Sequence, residues 1–149
     1  MEKSFILKIF YVNIFLIMEL ITRKWLERAR YDLSSAKIMY NSKRYLYAAF
    51  MCQQALEKIL KAVLIENKRN VPRIHNLVRL AEQAEVYNLM ASADQDFLAD
   101  LTPYAIESRY GDYKKNLSEI IDKKSASQYL NATERMFKWL KKNLRKQKK

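Results

Sequence analysis

The sequence predicts an all-α fold, an up-and-down bundle of four or five helices. Three observations carry this. Half of the 149 residues are apolar, enough to build a core. One glycine and two prolines are too few for the tight turns that sheets require. From Thr22 onward the apolar residues recur at steps of three and four, and no stretch has the alternation of a strand.

The opening stretch, MEKSFILKIFYVNIFLIM, is the least regular part. Its apolar run from Ile9 to Met18 is about ten residues long, short of the roughly 20 that a membrane span needs. Asn13 interrupts it, and Glu19 to Lys24 supply no small-residue cleavage site. Three readings stand: an apolar segment packing on the domain, a start assigned too early with translation beginning at Met18, or membrane targeting. The first two are preferred, because a whole domain follows.

Thr22 is the expected cap of a first helix beginning near Arg23, with Trp25, Leu26, Ala29, Leu33, Ala36 and Tyr40 on one stripe. Asn41 to Lys43 is the connection. A second helix is expected over Tyr45 to Glu66, its inner face formed by Ala48, Ala49, Cys52, Ala55, Leu56, Ile59 and Val63. Cys52 is expected to be a small core residue, since no activating base is in sight. The basic stretch from Lys68 to Ile74 contains Pro72 and is a loop. A third helix should start at His75 or Asn76 and end near Glu85, with Leu77, Leu80, Ala81 and Ala84 inward. A fourth should start at Ser92 or Asp94, bend or restart at Thr102–Pro103, and stop near Gly111. Ser125 is the expected cap of the last helix, with Tyr129, Ala132, Met136, Phe137, Leu140 and Leu144 inward. The organisation is thus an apolar extension over 1–17, a bundle over 18–140 and a basic tail over 141–149.

Composition excludes several chemistries. One cysteine permits no intramolecular disulfide and no cysteine-based zinc cluster, and one histidine permits no multi-histidine metal site within the chain. No metal and no cofactor is expected. The net charge is +12, and seven of its basic residues crowd Lys138 to Lys149 without an acidic one. Lys141, Lys142, Arg145 and Lys146 belong to this block, which suits RNA or DNA phosphates or an acidic partner.

Four stretches carry a family resemblance. Trp25 to Ala36 reads WLERARYDLSSA, and Ala48 to Ala62 reads AAFMCQQALEKILKA. Pro72 to Leu77 reads PRIHNL, and Tyr104 to Tyr113 reads YAIESRYGDY. In this order and spacing they resemble the HEPN family of small prokaryotic helix bundles, over roughly Met18 to Leu140. The resemblance implies a homodimer and a cytoplasmic protein. Many such proteins are encoded beside a minimal nucleotidyltransferase, with which they form a toxin–antitoxin pair. Many are metal-independent RNases that carry an arginine and, a short gap later, a histidine. Others lack that motif and bind nucleotides or RNA without cutting.

Arg109 matches the family arginine, but residues 110–149 contain no histidine, and Tyr113 stands where one is expected. A phenol with a pKa of about 10 is a poor general base at neutral pH, whereas imidazole at about 6.5 suits proton transfer. His75 is the only imidazole, and it lies in another loop. The preferred reading is therefore a non-catalytic nucleotide- or RNA-binding module using Arg109, Tyr110, Asp112, Tyr113, His75 and Arg73. The alternatives are an RNase built on Arg109 with Tyr113 or His75, and a structural adaptor. With a nucleotidyltransferase partner, Tyr110 and Tyr113 become candidates for nucleotidylation; a membrane partner is not expected.

Plainer roles stand beside these. His75 is a cap or an ordered surface histidine, Arg109 pairs with Glu107 or Asp112, and the tyrosines pack at a bundle end or dimer seam. Gln53, Gln54, Glu57 and Lys61 lie on a polar stripe, and Glu57 and Lys61 form an i,i+4 pair giving ordinary helix support worth about a few tenths of a kcal/mol. Lys58 and Lys61 are further candidates for a basic groove.

Overall fold

The long second helix is apolar on more than one stripe, and a helix of that kind must sit in the middle of a bundle. A computed structural model of the chain, which describes residues 1–105, 119 and 121–146, places it there, with more buried than the one inner face expected from sequence. In chain order the helices are α1 (Glu2–Asn41), α2 (Tyr45–Glu66), α3 (Leu77–Gln83), α4 (Ser92–Leu101) and α5 (Lys123–Lys146). Single 3-10 turns occupy Tyr87–Leu89 and Thr102–Ala105. No strand occurs among the described residues. The motif Arg109 to Tyr113 and the stop at Gly111 lie outside them.

Helix α2 packs on α1, α3 and α5, and 15 of its 22 residues are buried. That is why its small residues matter: Ala48, Ala49, Cys52 and Ala55 have no bulk to hold neighbours away, and all are inaccessible or nearly so. Leu56, Ile59, Leu60 and Leu64 fill the centre. Each contributes about 1.5–3 kcal/mol by leaving water. Ala29 and Ala36 of α1, Leu77 and Leu80 of α3, Leu98 and Leu101 of α4, and Leu140 of α5 close around them. Cys52 is a core residue, as expected: burial pushes its thiol up to about 12, so it carries no thiolate at neutral pH.

A chain with one glycine must end its helices by other means. Lys43, Lys68 and Glu85 take left-handed backbone with φ of 60°, 55° and 60°, each just past a helix end. After α1, the amides of Lys43 and Arg44 donate to the carbonyls of Tyr40 and Met39. After α2, those of Lys68 and Arg69 donate to Ile65 and Leu64; after α3, those of Glu85 and Val86 donate to Glu82 and Ala81. This is the double-bonded stop usually made by glycine, repeated three times with long polar side chains. Each costs roughly 1–2 kcal/mol in backbone strain that glycine would not incur.

Other ends are closed by side chains. Asn76 Oδ1 accepts the Arg79 amide at 3.0 Å and starts α3. Thr102 serves two elements: its hydroxyl accepts the Leu77 amide at 3.1 Å and donates to the Leu98 carbonyl at 2.8 Å. Pro103 follows, and the helix tightens to a 3-10 turn rather than restarting there.

Three expectations are corrected. Thr22 is not a cap, because α1 runs unbroken from Glu2 and Thr22 lies buried within it. Residues 5–17 do not pack on the domain: every large apolar side chain from Phe5 to Ile17 is exposed, Phe5 by 67% and Tyr11 by 68%. The cap of α5 is Asp122 rather than Ser125. Its carboxylate accepts the Ser125 amide at 2.7 Å, which a hydroxyl three residues later cannot do, and that bond holds Asp122 below the usual carboxylate range.

The strained stops give a direct test. Lys43→Gly and Lys68→Gly should each raise the unfolding free energy by about 1 kcal/mol in urea titrations, while Lys43→Ala gains nothing.

Candidate functional site

The loop from Lys68 to Asn76 is tied to α2 by one polar cluster. Gln53 Nε2 donates to the His75 carbonyl at 2.9 Å and to Glu57 Oε2 at 3.1 Å. Lys61 Nζ donates to Glu57 Oε1 at 2.7 Å. His75 Nδ1 stands 3.0 Å from Glu57 Oε2 and 3.1 Å from Oε1. Gln53, Glu57 and Lys61 recur every fourth residue, so they form one column on α2 beside the apolar column Cys52–Leu56. All three are buried.

This corrects the expectation of an i,i+4 pair giving ordinary helix support on a polar stripe. Glu57 and Lys61 are an interior ion pair, with side chains only 7% and 8% exposed. Lys61 also lies 5.7 Å from the centre of the Trp25 ring, which Arg28 approaches at 5.8 Å. The cluster therefore joins α1, α2 and the loop before α3. Nor do Lys58 and Lys61 form a basic groove: Lys58 pairs with the buried Asp32 of α1, and Lys61 is committed to Glu57.

The electrostatics follow from the contacts. Burial would push the Glu57 carboxyl up. Hydrogen bonds from Lys61, His75 and Gln53, with the Lys61 charge, outweigh burial and hold it below its usual value. An ionised carboxylate only accepts, so the proton between it and the ring sits on His75 Nδ1. In the neutral ring the lone pair is then on Nε2. His75 is held from one side while its side chain remains 52% exposed.

Beside His75 opens a cleft of about 440 Å³, lined by Ile74, His75, Asn76, Arg79, Thr102, Pro103 and Ala105. Arg73 and Arg79 are exposed and have no ion-pair partner among the described residues. Arg73 and His75 were expected in the site; Asn76, Arg79 and Thr102 were not. Their signal lay in the sequence as HNLVR, where Asn76 and Arg79 stand one turn apart, but Thr102 is joined to them only by the fold. Arg109, Tyr110, Asp112 and Tyr113 lie outside the described residues; in sequence they begin four positions after Ala105.

The basic tail is divided. Lys141 is half-buried at a hollow with Glu19, Arg23, Arg30 and Glu66. Lys142 is exposed near Arg135, Lys138 and Trp139. Arg145 and Lys146 fall on the last turn of α5, and their side chains lie outside the described residues. No cluster of three metal-ligating side chains occurs among the described residues.

The HEPN domain model matches residues 22–144. The chain belongs to the HEPN family. The fold is also that of two solved structures. TT1696 from Thermus thermophilus is 21% identical, with a TM-score of 0.69 covering 81% of this chain and 96% of that one. ST0689, an archaeal HEPN homologue, is 22% identical, with a TM-score of 0.66 covering 83% of this chain and 97% of that one. At such identities the likeness is one of fold. No curated protein matches the chain significantly. Within this HEPN bundle the Glu57 cluster sits on the QQALEKILKA block that carried the resemblance.

The cluster makes two measurable demands. Glu57→Ala leaves the Lys61 ammonium buried without its carboxylate and should cost about 3–5 kcal/mol in urea unfolding. The carboxyl is held below its ordinary 4.5, so its stabilisation is complete above that pH and is lost as pH falls through the folded value. Stability of the wild type should therefore drop below about pH 4.5, and Glu57→Gln should flatten that dependence.

Proposed function

We propose that this HEPN protein binds RNA or a nucleotide, without cutting it, in the cleft beside His75. It acts as a homodimer on the cytoplasmic side, paired with a minimal nucleotidyltransferase. The observation that carries the binding reading is the pinned His75 with Arg79 in the lining of the cleft, Arg73 being exposed two residues before His75 in sequence. A guanidinium offers a planar fork of donors matched to phosphate, and a half-exposed imidazole adds a donor or acceptor beside it. The pairing and the dimer are supported by family membership.

A second reading has one observation in its favour. A buried carboxylate that fixes the tautomer and orientation of an exposed imidazole is an arrangement suited to proton transfer. It gives His75 the means to act as the base that the sequence lacks after Arg109.

Binding of a labelled oligoribonucleotide, followed by fluorescence polarisation, tests the first reading. Arg73→Ala and Arg79→Ala should each weaken binding about five- to tenfold, consistent with roughly 1–1.4 kcal/mol per charged hydrogen-bonding group. Affinity should fall steeply between low and moderate salt. Incubation of the same RNA with chelator present tests the second. Cleavage abolished by both Arg109→Ala and His75→Ala would replace the binding reading with the nuclease one, while absence of any RNA or nucleotide binding would leave the adaptor.

A further inference from the structure

Helix α1 is 40 residues long, and its two halves meet different surroundings. From Thr22 onward one stripe is buried on the bundle. Toward its start the helix contains an 18-residue window long and apolar enough to cross a membrane, of which only 6% is buried. A helix that merely pairs with another presents a stripe. Here the apolar side chains go all round: at 3.6 residues per turn, the exposed residues from Phe5 to Ile21 leave no gap wider than about 60°. Ile9, Phe10, Tyr11 and Val12 are 46%, 60%, 68% and 57% exposed, and as successive residues about 100° apart they point right round the helix. One partner helix cannot cover them; a surrounding apolar solvent can.

Length agrees with that solvent, and the two charges in the stretch, Lys8 and Glu19, lie near its two ends. Phe5 to Ile21 extends about 26 Å as helix, against a hydrocarbon core of about 30 Å, and at its inner end Met18 and Glu19 are half-buried beside the end of α2. Lys8, one turn inside the stretch, has a stem long enough to carry its ammonium toward the nearer interface. Where α1 enters the bundle the chain reads Thr22-Arg23-Lys24, and Arg28 and Arg30 follow within two turns. The fold brings further cations to the same end. Lys68, after α2, shares a hollow with Phe15 and Met18; Lys141 of α5 shares one with Glu19 and Arg23. Basic residues next to an apolar helix attract anionic headgroups and keep their side of the helix in the cytosol.

We propose that the first half of α1 is a membrane-spanning anchor, with the bundle held on the cytosolic face, its basic end toward anionic lipid. The extension, for which membrane targeting is one of three readings from sequence, becomes a second functional segment, and the basic excess acquires a phospholipid partner.

Fractionation of a bacterial host expressing the full chain tests this. The protein should sediment with membranes, resist 1 M salt and alkaline carbonate, and dissolve in detergent. Purified protein should float with vesicles of phosphatidylcholine and phosphatidylglycerol. The double variant Phe10→Lys/Ile14→Lys changes two exposed residues. It should move most of the protein to the soluble fraction, with the helical circular dichroism of the bundle retained. Protease should digest the bundle in inverted vesicles and spare it in intact spheroplasts. Wild type that is soluble as a dimer would overturn the proposal in favour of a second copy as the covering partner. Loss of the segment by cleavage would make it a signal sequence, and extraction by salt alone would reduce it to surface adsorption. Each outcome is independent of RNA binding.

Discussion

The Glu57–Lys61 pair is the interaction on which the arrangement of the site depends. Burying two charges on a central helix is expensive, and the cost is offset only while every partner stays in place. Gln53 and Lys61 share α2 with Glu57, and their contacts bring in two other parts of the chain. Lys61 lies on Trp25 of α1, Gln53 reaches the backbone of His75, and His75 itself closes the carboxylate. The loop that contains Pro72 is thereby fastened to α2 at its last residues, just where Asn76 starts α3. Because Thr102 also holds the Leu77 amide, the mouth of the cleft is assembled from three separate elements around one charge.

Much of the bundle was legible because helix periodicity is a local property. The bounds of α2, Tyr45–Glu66, and the inward faces of α3 and α5 followed from apolar spacing alone. What was illegible depended on choices that spacing does not decide. Glu57 and Lys61 have the same spacing whether on a surface or in a core; the difference is made by Trp25 and His75, which come from elsewhere in the sequence. Thr22 has the right side chain for a cap, but a cap also requires that the helix begin there, and the apolar residues before it continue the same backbone. Ser125 lost to Asp122 because a carboxylate at the first position reaches the free amide three residues on. Of the residues that line the cleft, His75 is among the sequence candidates, while Arg79 and Thr102 needed the fold.

The scarcity of glycine first served to exclude sheets and phosphate loops. In the structure it has a further consequence. Three helix stops are made by lysine or glutamate in left-handed backbone, so the connections after α1, α2 and α3 hold strain that the packed helices must overcome. The bundle can do so because α2 is buried nearly all round and its leucines and isoleucine contribute more than the stops cost. Stability is concentrated in the α1–α2–α5 core, with the connections drawing on it.

The continuity of α1 couples its exposed first half to the cleft. A helix unbroken at Thr22 transmits orientation rigidly, so an anchor in its first half would fix the height of everything packed on its second half. Trp25 is less than one turn beyond Thr22, and Lys61 covers it. Glu57 lies nine residues before the end of α2 at Glu66, or about 14 Å of helix. With α1 in a bilayer, the His75 cleft would stand little more than that above the basic end of the bundle, within about two Debye lengths of an anionic surface at physiological salt. The cations at Arg23, Lys24 and Lys68 would then lie between the lipid and the cleft. Their charge would screen a polyanion in the cleft from the headgroups below, which gives the excess of basic residues a role at both surfaces.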